Sequence, residues 1–159
     1  IGTTALPGFK FIGLPGSMSG ASAAGAGDFD SDGFDDIVIA APNEEREFGG
    51  TMRRGVAYLI FGGPHLANRT VRPVGSGLQD DLGQQVAGTI FVSPYESGSI
   101  DEAALETASG IGDVDDDGFD DIMIGAPSAN FIDPGDPTQR KFNAGQCYLI
   151  HGTNNGRIP

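Results

Sequence analysis

Asp28-Phe-Asp-Ser-Asp-Gly-Phe-Asp-Asp36 recurs further along the chain as Asp113-Val-Asp-Asp-Asp-Gly-Phe-Asp-Asp121. Each window sets a carboxylate at positions 1, 3, 5 and 9: Asp28, Asp30, Asp32 and Asp36 in the first, Asp113, Asp115, Asp117 and Asp121 in the second. Gly33 and Gly118 hold position 6. Of the chain's 22 acidic residues, 11 lie in these two windows. A folded chain tolerates such a density of like charge only if a cation offsets the repulsion. Calcium takes about six to eight oxygens at roughly 2.3–2.6 Å, and alternate residues of a tight loop can turn their carboxylates toward one centre. Glycine at position 6 permits the bend that brings the later donors back. Position 7, Phe34 or Phe119, is expected to offer its backbone carbonyl while its ring enters the core. Asp35, Asp116 and Asp120 fall off the donor spacing and are expected to face solvent or to bond loop backbone. A solvated Asp-rich turn would explain one window. It does not explain the same spacing, glycine and downstream context twice, so two calcium ions are expected.

The residues after each window decide the kind of module. An EF-hand places a bidentate Glu at position 12 and then a helix. Position 12 here is Ile39 or Ile124, which excludes the EF-hand and the related dockerin loop. The windows run into Ile37-Val-Ile-Ala-Ala-Pro42 and Ile122-Met-Ile-Gly-Ala-Pro127. These short, largely β-branched apolar runs ended by Pro predict buried strands.

Taken with the preceding glycine, Gly27 to Pro42 and Gly112 to Pro127 resemble the FG-GAP repeat. This is the repeat of the integrin α-subunit β-propeller, found also in many secreted bacterial proteins. The second copy has Gly125-Ala126-Pro127 in full; the first has Ala40-Ala41-Pro42. The Phe-Gly element is weaker, with Ser19-Gly20 and Leu82-Gly83 at its positions. A closing strand comes after each copy, Gly55-Val-Ala-Tyr-Leu-Ile-Phe-Gly62 and Gly145-Gln-Cys-Tyr-Leu-Ile-His-Gly152. The resemblance implies an all-β chain of β-propeller-like blades. It makes Asp28, Asp30, Asp32, Phe34 and Asp36, and likewise Asp113, Asp115, Asp117, Phe119 and Asp121, the calcium ligands.

The 159 residues suit a single module spanning 1–159, with repeat one at about 17–63 and repeat two at about 80–152. Twenty-six Gly and ten Pro fit short strands joined by turns. A strand is expected from Phe9 to Leu14, and residues 64–79 read as a connection with turns at Gly63-Pro64 and Gly75-Ser-Gly77. An insertion at about 93–110 contains Asp101-Glu-Ala-Ala-Leu-Glu-Thr-Ala108, either a short helix or a mobile loop, since an octamer is too short to be a stable helix alone. Two hairpin-like loops, Asn43 to Arg54 and Ser128 to Asn143, come after the prolines and are candidate binding loops. Asn68-Arg-Thr70 is a glycosylation sequon, meaningful only in a eukaryotic secretory context.

The net charge of −13 argues against nucleic acid or an anionic membrane surface as partner. No run of roughly 18 apolar residues predicts membrane insertion. The single cysteine excludes an internal disulfide, and Cys147 in its apolar strand is expected to be buried and inert. Calcium sites of modest affinity work where calcium is near millimolar, outside the cell, so the chain is expected to be secreted or at the cell surface. His65 and His151 lack metal-site or nucleophile partners in sequence, and Gly16-Ser-Met-Ser-Gly20 puts Met18 where a nucleophile elbow needs Ser. No catalytic residue is assigned.

Two repeats cannot close a ring of roughly four to eight blades, and each repeat needs neighbours to cover it. A homo-oligomer or further blades of a longer chain are therefore expected. The function read from the residues is a calcium-stabilised binding, adhesion or structural module, with a protein or carbohydrate ligand. The alternative is a non-catalytic accessory module of a secreted polysaccharide- or lipid-acting enzyme.

Overall fold

The structure is a computed structural model and describes residues 8–95, 97–98, 104–133 and 135–154. Among them thirteen strands run in order: β1 (Lys10–Phe11), β2 (Ser22–Gly27), β3 (Asp36–Phe48), β4 (Thr51–Ile60), β5 (Thr70–Val74), β6 (Gly77–Gln79), β7 (Gln85–Val86), β8 (Gly88–Val92), β9 (Thr107–Gly112), β10 (Asp121–Ala126), β11 (Phe131–Asp133), β12 (Asp136–Lys141) and β13 (Gln146–Ile150). The one helical element described is a 3-10 turn, Pro64–Leu66.

The central sheet runs β2-β3-β4-β8, antiparallel throughout, with Ala23 opposite Ile39, Ile39 opposite Tyr58 and Tyr58 opposite Ile90. Successive strand residues point to opposite faces, and here both faces are buried. Val38, Ala40, Ala57 and Leu59 enter one core; Ile39, Ala41, Val56, Tyr58 and Ile60 enter another. That double burial explains the continuous apolar run where a half-exposed strand would alternate. Each Val, Leu or Ile so buried contributes about 1.5–3 kcal/mol.

The first core lies against a second sheet, β13-β10-β9, which supplies Ala108, Ile122, Ile124 and Ala126. The two sheets meet closely along β2, whose Ser-Ala-Ala-Gly-Ala-Gly sequence has no large side chain. A Cβ on Gly110 would lie 2.3 Å from the carbonyl oxygen of Gly25. Ser22 ties the seam, donating from Oγ to the Ala108 carbonyl at 3.2 Å while that residue's N–H donates back at 3.1 Å. The second core lies against a third sheet, β1-β5-β6-β7, through Val71, Leu78 and Val86. Phe11 stacks at 4.9 Å on Tyr58, whose hydroxyl donates to the buried Glu44.

Several expectations change. The segment 64–79 is not only a connection: its β5 and β6 build the third sheet, in which β1 pairs in parallel with β5. The strand expected from Phe9 to Leu14 is confined to Lys10–Phe11. Pro42 does not end its strand; β3 continues to Phe48, and the register shift between Ala41 and Glu45 absorbs the missing proline N–H. The arm from Glu45 pairs with β4 and turns at Gly49-Gly50. Residues 101–103 of the expected short helix lie outside the described residues; Ala104 to Glu106 are irregular and Thr107 opens β9. Cys147 is exposed, not buried. Its strand, β13, turns Tyr148 and Ile150 toward the first core and Cys147 and Leu149 away from it. The second sheet has three strands where the central one has four, and nothing in the described chain covers its far face.

Candidate metal centres

Each Asp-rich window links the first strand of its repeat to the next, β2 to β3 and β9 to β10. The two loops share their backbone. Gly33 and Gly118 both have φ 92°, in the region glycine adopts without strain. Position 4 is also left-handed, at Ser31 (φ 56°) and Asp116 (φ 64°). Asp28 winds the first loop around its own carboxylate, which accepts from the N–H of Asp32 at 2.9 Å and of Gly33 at 3.0 Å. Asp113 does the same with Asp117 at 3.1 Å and Gly118 at 2.8 Å. Asp32 and Asp117 each accept from the N–H two residues on, at 2.9 and 3.0 Å.

This winding gathers the carboxylates. Oxygens of Asp28, Asp30 and Asp32 lie within 4.8 Å of one another, as do those of Asp113, Asp115 and Asp117. Asp30 Oδ1 is buried with no hydrogen-bond partner, an orphan that a cation would satisfy. Burial, and then the charge of Asp32, raise the Asp30 pKa above the ordinary carboxylate value. Asp113 is held below it, chiefly by the N–H of Gly118. The all-oxygen donor set fits a hard divalent cation. Asp28, Asp30 and Asp32 would hold one ion and Asp113, Asp115 and Asp117 another, each neutralising crowded charge and fixing the loop.

The position-9 residues are placed differently. Asp36 and Asp121 are fully buried. Asp36 accepts from Phe29 N–H at 3.0 Å and Gly62 N–H at 2.8 Å. Asp121 accepts from Val114 at 2.9 Å and Gly152 at 2.8 Å. Each therefore bolts the start of its loop to the end of the repeat's closing strand, besides standing at a donor position of the spacing. Burial pushes Asp36 up to about 6, against those two N–H bonds.

The aromatic ring that enters the core is also not the one expected. Phe34 is 47% exposed and Phe119 is half-buried, whereas Phe29 at position 2 is completely buried in the first core. Position 2 points away from the carboxylate side of the loop, toward the neighbouring sheet. Val114, its counterpart, is 50% exposed because among the described residues no further sheet lies beside it.

Two features join residues far apart in sequence. Asp120 Oδ2 accepts from the N–H of Asp28 at 2.9 Å, while the N–H of Asp120 donates to the Asp28 carbonyl at 3.3 Å. His151 sets Nδ1 at 3.2 Å from Asp115 and 3.4 Å from Asp121, where repeat one has Phe61. Neither shows as a local spacing; only alignment of the two closing strands marks His151 as a difference.

At the other end of the sheets, where the hairpins of β3-β4 and β11-β12 rise, a cleft of about 600 Å³ is lined by Met18, Asn43, Arg54, Glu106, Asn130 and Phe142, among others. It brings together residues from both candidate binding loops.

The family model described as the FG-GAP repeat matches residues 19–51 and 107–150. The chain is similar to integrin alpha-IIb of Homo sapiens, 32% identical over 113 residues that make up 71% of this chain and 9% of that protein. It is similar to integrin alpha-5 of Xenopus laevis, 33% identical over 107 residues, 67% of this chain and 8% of that one. Integrin alpha-PS5 of Drosophila melanogaster is 30% identical over 127 residues, 77% of this chain and 10% of that one. The chain thus spans about a tenth of the length of these relatives. The doubled loop, the strand after it and the matching segments converge: the chain carries two FG-GAP repeats and is similar to integrin α subunits.

Proposed function

We propose that this chain is a calcium-stabilised blade module acting outside the cell in binding or adhesion. In this reading calcium is structural. The observation that carries it is the pair of equivalent carboxylate clusters, with a buried, unpartnered Asp30 oxygen in the first. Two ions, one per loop, neutralise charge that otherwise repels; all other ligand positions of the spacing, including the Phe34 and Phe119 carbonyls and Asp36 and Asp121, would complete the shells. The binding role rests on the cleft at the opposite end, an open surface of amides, Arg54, Glu106 and the 68% exposed Phe142 on a rigid scaffold. Its chemistry suits a polar protein or saccharide surface and assigns no group to catalysis. Further blades of a longer chain, or a second copy, would cover the far face of β9-β10-β13, where Met123 and Leu149 stand exposed.

The test is thermal unfolding with and without chelator, beside metal analysis. At free calcium 100 times the dissociation constant, one site adds about 2.7 kcal/mol. Two ions bound and a melting temperature lowered by several degrees in EGTA are expected. An unchanged melt with no metal detected would overturn the reading.

A further inference from the structure

The two loops are held to each other as well as to their own repeats. Asp120 occupies position 8 of the second loop, between Phe119 and Asp121, and turns its carboxylate away from its own cluster. It receives the N–H of Asp28 at 2.9 Å and returns its own N–H to the Asp28 carbonyl. Asp28 is position 1 of the first loop, the residue whose carboxylate winds that loop. The fit is close: a Cβ on Gly27 would lie 2.0 Å from Asp120 Oδ2. In the second repeat the equivalent Gly112 faces open space, with nothing within 4 Å of such a Cβ. Just beyond, the N–H of Thr153 donates to the Phe29 carbonyl at 3.0 Å, a third link between the second repeat's end and the first loop.

We propose that Asp120 is a positioning residue for the first metal centre, so that filling the second loop strengthens binding in the first. The inference rests on the calcium reading above and adds the coupling. Without a cation, repulsion among Asp113, Asp115 and Asp117 loosens the second loop, and Asp120 moves with its neighbours at positions 7 and 9. With the second loop fixed, Asp120 is fixed, and the backbone of Asp28 is set in the geometry its carboxylate needs. The second ion pre-pays ordering that the first site otherwise supplies itself, which is positive coupling. Repulsion between the two ions acts in the opposite sense but is screened over about 8 Å at physiological ionic strength. Coupling runs both ways by linkage, so the first ion equally strengthens the second.

The experiment is a calcium titration monitored through the amide signals of Gly33 and Gly118, one reporter per loop, together with calorimetry. Asp117→Ala removes the second ion. In the wild-type background this is expected to weaken the first site about five- to tenfold, the lower part of the usual range for coupled sites. In the Asp120→Ala background, removing the second ion should leave the first site's affinity unchanged. Asp120→Asn, which keeps an accepting oxygen, should retain most of the coupling and serves if the alanine variant does not fold. Two ions that bind independently in the wild type, or coupling that survives Asp120→Ala, would overturn this inference while leaving the calcium reading intact. No ion bound at either reporter would overturn both.

Discussion

Replacing Phe29 by Ala tests which residue anchors the first loop. Phe29 is fully buried between the central and second sheets, beside Leu59, Phe61 and Ile122 in one cluster, while Phe34 is 47% exposed. Phe29→Ala removes the ring from a close-packed site and leaves a cavity, a loss of about 3–5 kcal/mol. Domains of this kind hold roughly 5–15 kcal/mol in total, so the change is a large fraction of stability. At about 2–4 °C per kcal/mol for a chain of this size, the melting temperature should fall by roughly 6–20 °C. Phe34→Ala, on a half-solvated ring, should shift stability by about 1 kcal/mol or less. Urea unfolding of both variants, in saturating calcium and again in chelator, separates the cavity from any lost ion. The Phe29 loss should persist in chelator, because the core contact does not depend on metal. Equal losses for the two variants, or a larger one for Phe34, would refute the assignment of position 2 as the core anchor.

Asp36→Ala strands the N–H groups of Phe29 and Gly62, each a buried donor whose loss of partner costs about 1–3 kcal/mol; it should destabilise even metal-free protein, and an effect confined to calcium-loaded protein would contradict the structural role. Asp36 also sets a pH dependence in metal-free protein. Its folded pKa of about 6 lies above its ordinary value of 3.8, so its contribution is complete below about pH 4 and is lost as pH rises through 6. The stability gap between wild type and Asp36→Asn should narrow across that window in urea titrations, and a gap that widens would show the shift to be downward. Cys147, exposed on β13, should react stoichiometrically with a thiol reagent under native conditions; protection until denaturant is added would mean that its face is covered in solution.

The loops were legible because their carboxylates follow a short-range spacing, and the strands after them because both are unbroken apolar runs, although only β3 is buried on both faces. What escaped the sequence is non-local. Asp120 contacts a backbone 92 residues away, and no pattern within its own loop marks it. Phe29 and Phe34 flank the same carboxylates, and only the neighbouring sheet decides which ring is covered. Cys147 and Tyr58 lie in similar apolar strands, yet β4 has a sheet on both sides and β13 on one. Residues 64–79 read as a connection because two short strands with Gly and Pro between and within them carry a weak periodic signal; pairing with β1 and the apolar face of β4 organises them.

The sheet formed by β1, β5, β6 and β7 lies across the central sheet from β9-β10-β13. It is short, ends in β7 with two residues, and carries exposed Val74 and charged Arg72 outward from its middle strand. Among the described residues both outer sheets thus carry an exposed face, with Val74 on one and Met123 and Leu149 on the other. A further blade or a second copy packed on β9-β10-β13 would bury Met123, Cys147 and Leu149 together, so the one thiol of the chain reports on the state of that whole face.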